Sequence, residues 1–117
     1  MIPNPKPAWW PEFLEVADAT VDVAELHPKL IAFLQWAAGS HFQQFHRPLI
    51  VTSGNDGNHA PGSKHYFWKA VDIRSRDIPD AEQDAFAQSF PVEERTFQVG
   101  VFDERFIGKP HWHVEVA

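Results

Sequence analysis

The sequence predicts an α+β domain in which helices cover one face of a mostly antiparallel sheet. Apolar residues recur at helical spacing after Pro28, which predicts a long core helix. Segments 48–54, 69–74, 96–102 and 111–116 are short, and they alternate in polarity or end at turn-rich loops, which is typical of strands. Because its 117 residues suit one hydrophobic core, the chain is expected to form a single domain over residues 1–117.

Residues 1–25 are predicted to form an N-terminal arm packed on this domain. The first eleven residues hold four prolines and two adjacent tryptophans, Trp9 and Trp10, a composition that favours an extended chain over a helix. The core helix is expected to begin at Pro28, because proline suits a first helical turn. Its apolar stripe consists of Leu30, Ile31, Leu34, Ala37, Ala38, His41, Phe42 and Phe45. On such a stripe we expect His41 to be hydrogen-bonded packing rather than a ligand.

The first two predicted strands flank a loop rich in turn residues. Strand 48–54 runs into the loop NDGNHAPG. In strand 69–74, Val71 and Ile73 share one face because successive side chains of a strand point to opposite sides. Asp72 therefore points away from the apolar side.

The second half of the chain is predicted to add a helix and a hairpin. Asp77, Pro79 and the apolar spacing beyond them predict a capped helix that ends at Pro91. Strands 96–102 and 111–116 are expected to pair across the loop DERFIGKP. In the last strand the apolar face carries Trp112, Val114 and Val116, and the polar face carries His111, His113 and Glu115.

Composition excludes several function classes. The chain has no cysteine, so it has neither disulfides nor thiolate ligands, and any metal must be held by histidine and carboxylate. A formal charge of -6 without a basic run argues against nucleic acid or an anionic membrane as a partner. The first residues lack the pattern of a secretory signal, and no apolar run approaches the roughly 20 residues that span a bilayer.

Three titratable residues on the predicted polar faces form a candidate metal site. His65 and Asp72 bracket a turn into a strand, and His113 arrives on another strand. Two imidazoles and one carboxylate are the ligands of many catalytic zinc sites, although manganese, cobalt or nickel would also bind them. His111 shares the strand face with His113 and could donate a hydrogen bond to an oxyanion. The alternative is a set of surface histidines on a sheet that binds no metal.

Two motifs resemble those of the LAS metallopeptidases, a family named for lysostaphin, D-alanyl-D-alanine carboxypeptidase and sonic hedgehog. SKHYFWKAVD, residues 63–72, matches the signature S-x-H-x-x-x-x-A-x-D, and HWH, residues 111–113, matches the closing H-x-H. The residues around the two motifs are most similar to those of short phage or prophage members. The resemblance implies a hedgehog/D-Ala-D-Ala-peptidase-like fold with Zn2+ on His65, Asp72 and His113. It also implies that His111 stabilises the transition state and that Ser63 supports the first motif.

The chain departs from the family at the general base. Many members carry an acidic residue three positions before the last histidine ligand, where this chain has Pro110, which cannot accept a proton. Glu115 is the nearest carboxylate on the same strand face, and Asp103 or Glu104 could reach the site from the hairpin loop. Each of the three could instead be a solvated charge or a cross-strand partner.

The second departure lies in the loop before the first motif, where many relatives carry an arginine that grips a substrate carboxylate. Here the loop supplies Asn55, Asp56, Asn58 and His59 instead. Lys64, Arg74 or Arg76 could substitute for that arginine, although solvation at the surface would explain them equally. His59 is a candidate substrate contact or metal neighbour, and Tyr66 could donate to an oxyanion or simply pack.

The resemblance implies a zinc peptidase that hydrolyses an amide bond in the stem peptides of peptidoglycan, and we expect the protein to be a monomer. The activity would be of the D,D-carboxypeptidase or the L-alanyl-D-glutamate endopeptidase type. A phage or prophage protein of this kind would stay in the cytoplasm of the host cell until release, or travel in the virion. The alternative from another class is a catalytically impaired zinc-binding domain of the same fold, with a structural or binding role in the virion, which Pro110 favours.

Overall fold

The computed structural model describes residues 1–56, 59–76, 78–106 and 110–117, which build a five-stranded sheet and three α-helices. In chain order the elements are β1 (Leu14–Val16), α1 (Pro28–Phe45), β2 (Leu49–Ser53), a 3₁₀ helix (Lys64–Phe67), β3 (Ala70–Arg74), α2 (Asp80–Ala87), α3 (Phe90–Phe97), β4 (Val99–Glu104) and β5 (His111–Val116). The strand order is β1-β2-β3-β5-β4, and only the β1–β2 pair is parallel. The predicted α+β class with a mostly antiparallel sheet is confirmed.

Helix α1 begins where the sequence predicts. Pro28 occupies the first turn, where a missing N–H costs nothing, and the Nδ1 of His27 accepts a hydrogen bond from the N–H of Lys29 at 3.1 Å. The helix ends at His46, whose left-handed conformation lets its N–H donate to the carbonyl of Phe42 at 2.8 Å. As expected, His41 is buried and its Nδ1 lies 3.0 Å from the carbonyl oxygen of Arg47.

All three helices contribute to one core against the apolar face of the sheet. Trp112 of β5 is fully buried, and its ring meets Phe86 of α2 and Phe90 of α3 at centroid distances of 5.8 and 5.5 Å. Phe33 of α1 packs on Phe90 and on Phe97 of α3. Burial of each such side chain contributes about 1.5–3 kcal/mol, so this aromatic layer is a main source of stability.

The predicted N-terminal arm contains a strand that the sequence analysis did not anticipate. Residues Leu14–Val16 form β1 and extend the sheet beyond β2. Trp10 is buried beside it and donates from Nε1 to the carbonyl of Leu14 at 2.8 Å. The arm is therefore tied to the sheet edge by both backbone and side-chain hydrogen bonds.

Two predicted boundaries are wrong. Pro91 does not end the second helix: α2 stops at Ala87, and Pro91 lies in the first turn of α3, a position that tolerates proline. Thr96 and Phe97, predicted as the start of a strand, belong to α3 because the helix buries its aromatic residues in the core.

The hairpin prediction is confirmed, since β4 pairs antiparallel with β5. Asp103 and Glu104, expected in the loop, extend β4 instead. The predicted cap Asp77 and loop residues 107–109 lie outside the described residues. In the part of the chain that the structure describes, no helix is both long and apolar enough to cross a membrane.

Candidate metal centre

The face of the sheet opposite the core carries the titratable residues of β3 and β5. The register places Asp72 opposite His113, Arg74 opposite His111 and Ala70 opposite Glu115. Because every second side chain points to one side, His111, His113 and Glu115 are half-buried, whereas Trp112, Val114 and Val116 are buried in the core. Pairing of these two strands thus brings the two sequence motifs together.

His65 is delivered by the 3₁₀ helix between β2 and β3. The Oγ of Ser63 accepts a hydrogen bond from the N–H of His65 at 3.2 Å, which caps the first turn. The His65 ring is 2% exposed, and its Nδ1 lies 2.7 Å from the carbonyl oxygen of Gly54. A carbonyl can only accept, so Nδ1 carries a proton, and in the neutral ring Nε2 is then the bare nitrogen. That tautomer is the one that can bind a metal through Nε2.

Three ligand atoms from the two motifs form a small triangle. The Nε2 of His65 lies 3.3 Å from Asp72 Oδ1 and 3.3 Å from His113 Nδ1. The Oδ1 of Asp72 lies 2.9 Å from His113 Nδ1. Tetrahedral zinc with bonds of about 2.0–2.1 Å separates its ligand atoms by about 3.3 Å, so the triangle has the dimensions of one face of such a site.

His59 adds a third imidazole beside the triangle of ligand atoms. Its ring stacks on that of His65 with a centroid distance of 3.7 Å, and one ligand atom from each of His59, His65 and Asp72 lies within 4.8 Å of the others. This group could hold a metal ion. However, the Nε2 of His59 lies 2.9 Å from Ser53 Oγ and 2.8 Å from the Asp56 carbonyl oxygen. The triangle with His113 is tighter and fits the spacing of zinc ligands better.

Glu115 contacts the other ring nitrogen of His113. Its Oε1 lies 2.9 Å from His113 Nε2, whereas Nδ1 belongs to the triangle. Its Oε2 lies 3.0 Å from the Nζ of Lys64, which also donates to the Val116 carbonyl at 2.6 Å. Both carboxylate oxygens of Glu115 are thus engaged by neighbouring side chains.

Glu104 and His111 form a second carboxylate–imidazole contact beside the triangle. They are cross-strand neighbours in β4 and β5, with 2.7 Å between Glu104 Oε2 and His111 Nε2. The same nitrogen of His111 lies 3.8 Å from Asp72 Oδ1. The Nε2 of His111 therefore lies between the carboxylate of Glu104 and that of the predicted metal ligand Asp72. Asp103, the other candidate from this strand, is held by Arg105 in an ion pair of 2.7 Å.

Electrostatics favour a cation at the triangle. Burial raises the pKa of Asp72, but hydrogen bonds from His113 and His65 outweigh it and hold this pKa well below its usual range. Burial lowers the pKa of His113, but hydrogen bonds to Asp72 and Glu115 outweigh it and raise this pKa. Asp72 is thus ionised at neutral pH, and the site favours a positive charge that a bound divalent cation would also supply.

A cleft opens beside His111. Its volume is about 210 Å³, and its lining residues are Ala17, Asp18, Thr52, Arg74, Arg76, Pro110 and His111. Pro110, where the family resemblance implies an acidic residue, thus lines a cleft that carries two guanidinium groups and one carboxylate. The cleft can accept a small polar group next to the triangle.

The remaining predicted residues have structural contacts. The Tyr66 hydroxyl accepts from the N–H of His59 at 2.7 Å and donates to the His59 carbonyl at 3.1 Å. Asp56 Oδ1 accepts from the N–H groups of Gly54 and Asp22 at 2.9 and 2.8 Å, so it braces the loop. Ala70 is fully buried in β3. Asn58 lies outside the described residues.

Sequence reasoning missed the part played by Gly54. A Cβ at this position would lie 2.1 Å from the Asp22 carbonyl oxygen, so only glycine allows the arm to approach the loop. The same residue supplies the carbonyl that fixes His65. The available signal was a glycine directly after a predicted strand, which often marks a close approach of two backbone segments.

Comparison with known proteins finds no family model and no curated sequence that matches the chain.

Proposed function

We propose that this protein is a zinc-dependent peptidase that hydrolyses an amide bond in the stem peptides of peptidoglycan. The observation that carries the proposal is the triangle of His65 Nε2, Asp72 Oδ1 and His113 Nδ1, with edges of 2.9–3.3 Å. Two neutral imidazoles and one carboxylate, with one tetrahedral position left for water, are the ligands of catalytic rather than purely structural zinc sites.

The roles of the chain's own residues follow from their positions. A zinc ion held by the triangle would acidify a water molecule and polarise the scissile carbonyl. His111 lies with Nε2 3.8 Å from Asp72 Oδ1, close enough to donate a hydrogen bond to an oxyanion that develops beside the triangle. Gly54 and Ser63 hold His65 in the required tautomer and position.

We assign proton acceptance to Glu104 rather than to Glu115. A general base must reach the attacking water directly or through one other water. Both carboxylate oxygens of Glu115 are engaged, by His113 and Lys64, whereas the contact of Glu104 with His111 at 2.7 Å is made by Oε2. Glu104 would therefore take the role for which Pro110 supplies no carboxylate. Arg74 and Arg76 line the adjacent cleft, where guanidinium groups suit the carboxylates of stem peptides.

A catalytically impaired zinc-binding domain with a structural or binding role is the second candidate. Pro110 favours it, because this residue lines the cleft beside His111 and cannot accept a proton. Both candidates require the zinc site, so turnover separates them.

The deciding experiment is digestion of purified peptidoglycan with zinc-loaded protein, with released fragments read by mass spectrometry. Chelated protein and His113→Ala remove the metal, Glu104→Gln removes the proposed base, and His46→Asn, a substitution of an exposed histidine outside the site, serves as the matched control. New fragments with wild type and His46→Asn, and none from the other samples, would establish the peptidase, and their masses would identify the bond. Stoichiometric zinc without fragments from several wall types would reject it in favour of the structural role.

A further inference from the structure

His113 is held between two carboxylates, one on each ring nitrogen. Its Nδ1 lies 2.9 Å from Asp72 Oδ1, and its Nε2 lies 2.9 Å from Glu115 Oε1. If Nδ1 is to bind a metal it must be bare, and the ring proton must then sit on Nε2. Glu115 is the acceptor for that proton. When a metal occupies Nδ1, the contact with Glu115 holds the ring proton on Nε2 and fixes the ring plane of His113.

Lys64 connects the two halves of the site. It directly precedes His65 in the 3₁₀ helix, yet its Nζ reaches β5, where it lies 3.0 Å from Glu115 Oε2 and 2.6 Å from the Val116 carbonyl oxygen. The chain segment that carries His65 is thereby bonded to the strand that carries His113.

We propose that Glu115 and Lys64 are positioning residues that orient the ring of His113 so that it can bind a metal through Nδ1. The inference rests on the proposed metal site, and it gives Glu115, one of three candidates for the general base, a different role. Outer-shell carboxylates of this kind orient a histidine ligand and raise its basicity, and their loss weakens metal binding about 10–100-fold.

Loss of an ion pair with only a structural role should not change zinc binding. A second pair in the chain resembles Lys64–Glu115 in length and exposure and allows the comparison. Arg47 and Glu82 form a pair of 2.9 Å with side-chain exposures of 47% and 24%, against 3.0 Å, 41% and 24% for Lys64 and Glu115. Pairs of this exposure contribute little to stability. Loss of the ion pair itself should therefore have a similarly small effect in the two cases, but Glu115 also contacts His113, a predicted metal ligand.

The test is the zinc dissociation constant, measured by competition with a chromophoric chelator, together with thermal unfolding of the metal-free proteins. Glu115→Ala should weaken zinc binding about 10–100-fold, and Glu115→Gln, which keeps an acceptor for Nε2–H, should recover part of the loss. Lys64→Met should weaken binding by about 10-fold or less, and Lys64→Arg should restore it. Glu82→Ala should leave the constant unchanged and should shift the metal-free unfolding temperature only slightly.

Equal zinc affinity in wild type and Glu115→Ala would overturn the positioning role while leaving the zinc site intact. Failure of the wild type itself to bind zinc would overturn both this inference and the proposed function. Weaker binding in Glu82→Ala of the same size as in Glu115→Ala would also reject it, because the effect would then come from general destabilisation.

Discussion

Asp72 and His113 lie directly opposite each other in the antiparallel strands β3 and β5, with 2.9 Å between Oδ1 and Nδ1. Directly opposed residues in such a pair have Cα atoms about 4.5–5.5 Å apart, so short side chains on the same face can meet. The sheet register thus fixes one edge of the triangle, and His65 completes it from the 3₁₀ helix. A slip of one residue would turn either side chain to the opposite face.

The proposed roles of Asp72 as a metal ligand and His111 as an oxyanion donor predict different effects of their substitutions. Asp72→Asn should weaken zinc binding by more than about 100-fold, beyond the effect of an outer-shell residue, because it removes an anionic ligand. His111→Gln should keep zinc affinity within about threefold of wild type but lower turnover about 100-fold or more, as expected for loss of an oxyanion donor. Zinc titration and peptidoglycan turnover measure the two effects separately. Loss of zinc from His111→Gln would show that His111 is a ligand.

Gly54→Ala should destabilise the protein and disturb His65. The new Cβ would lie 2.1 Å from the Asp22 carbonyl oxygen, so the backbone must shift, at a cost of about 1–3 kcal/mol or more. Gly39→Ala is the matched control, since no atom lies within 4 Å of its Cβ in helix α1. That substitution should stabilise the protein by about 0.5–1 kcal/mol. Thermal unfolding should move in opposite directions for the two variants, and equal shifts would contradict the close approach at Gly54.

The parts of the fold that the sequence predicted correctly are those with a strong local pattern. The alternation around Trp112 identifies a strand and its buried face. The helical stripe after Pro28 identifies a helix and most of its buried face, but it omits the fully buried Phe33. By contrast, β1 has only three residues and follows a proline-rich segment, so its pairing with β2 depends on tertiary contacts. Pro91 is compatible both with the end of one helix and with the first turn of the next, so the sequence alone does not separate α2 from α3.

The candidate site also has parts that the sequence predicts and parts that it does not. Motif spacing predicts that His65, Asp72 and His113 lie together, and the structure places their ligand atoms within 3.3 Å of one another. The contacts of Glu104 and Glu115 could not be read from spacing, because they depend on the β4–β5 register and on which ring nitrogen each carboxylate meets. A sequence shows that several carboxylates lie near a histidine pair, but only the structure shows which histidine each of them contacts.

Ser63→Ala should weaken the 3₁₀ helix that presents His65. Its Oγ accepts from the N–H of His65 at 3.2 Å, and loss of such a cap costs about 1 kcal/mol. Because the cap holds the backbone of a proposed ligand, zinc affinity should also fall. Ser40→Ala, in helix α1 and away from the site, should be neutral or slightly stabilising, since alanine has the higher helix propensity. Calorimetric unfolding with and without zinc would measure both effects, and unchanged values for Ser63→Ala would contradict the role of the cap.

His41 should make the protein sensitive to mild acid. Its ring is fully buried between Phe45 and Phe86, each at a centroid distance of 5.0 Å. Burial lowers the pKa of His41 below its usual value of 6.5, and the hydrogen bond to the Arg47 carbonyl offsets this only in part. The unfolded chain therefore binds a proton more readily than the folded protein. The stabilising contribution is complete above the unfolded pKa and is lost as the pH falls from about 6.5 towards the folded pKa.

The contribution of His41 to the free energy of unfolding should accordingly decrease below about pH 6.5, with a slope of at most about 1.4 kcal/mol per pH unit. The raised pKa of His113 contributes with the opposite sign, so the slope of His41 is measured as the difference between wild type and a variant. His41→Leu should remove that slope, although it lowers stability at every pH by leaving the Arg47 carbonyl without its partner. His46→Asn, at the exposed end of the same helix, should keep the wild-type slope. Denaturant unfolding of the metal-free proteins between about pH 5 and pH 7 gives the comparison. Parallel curves for wild type and His41→Leu would mean that His41 takes up its proton equally in the folded and unfolded states.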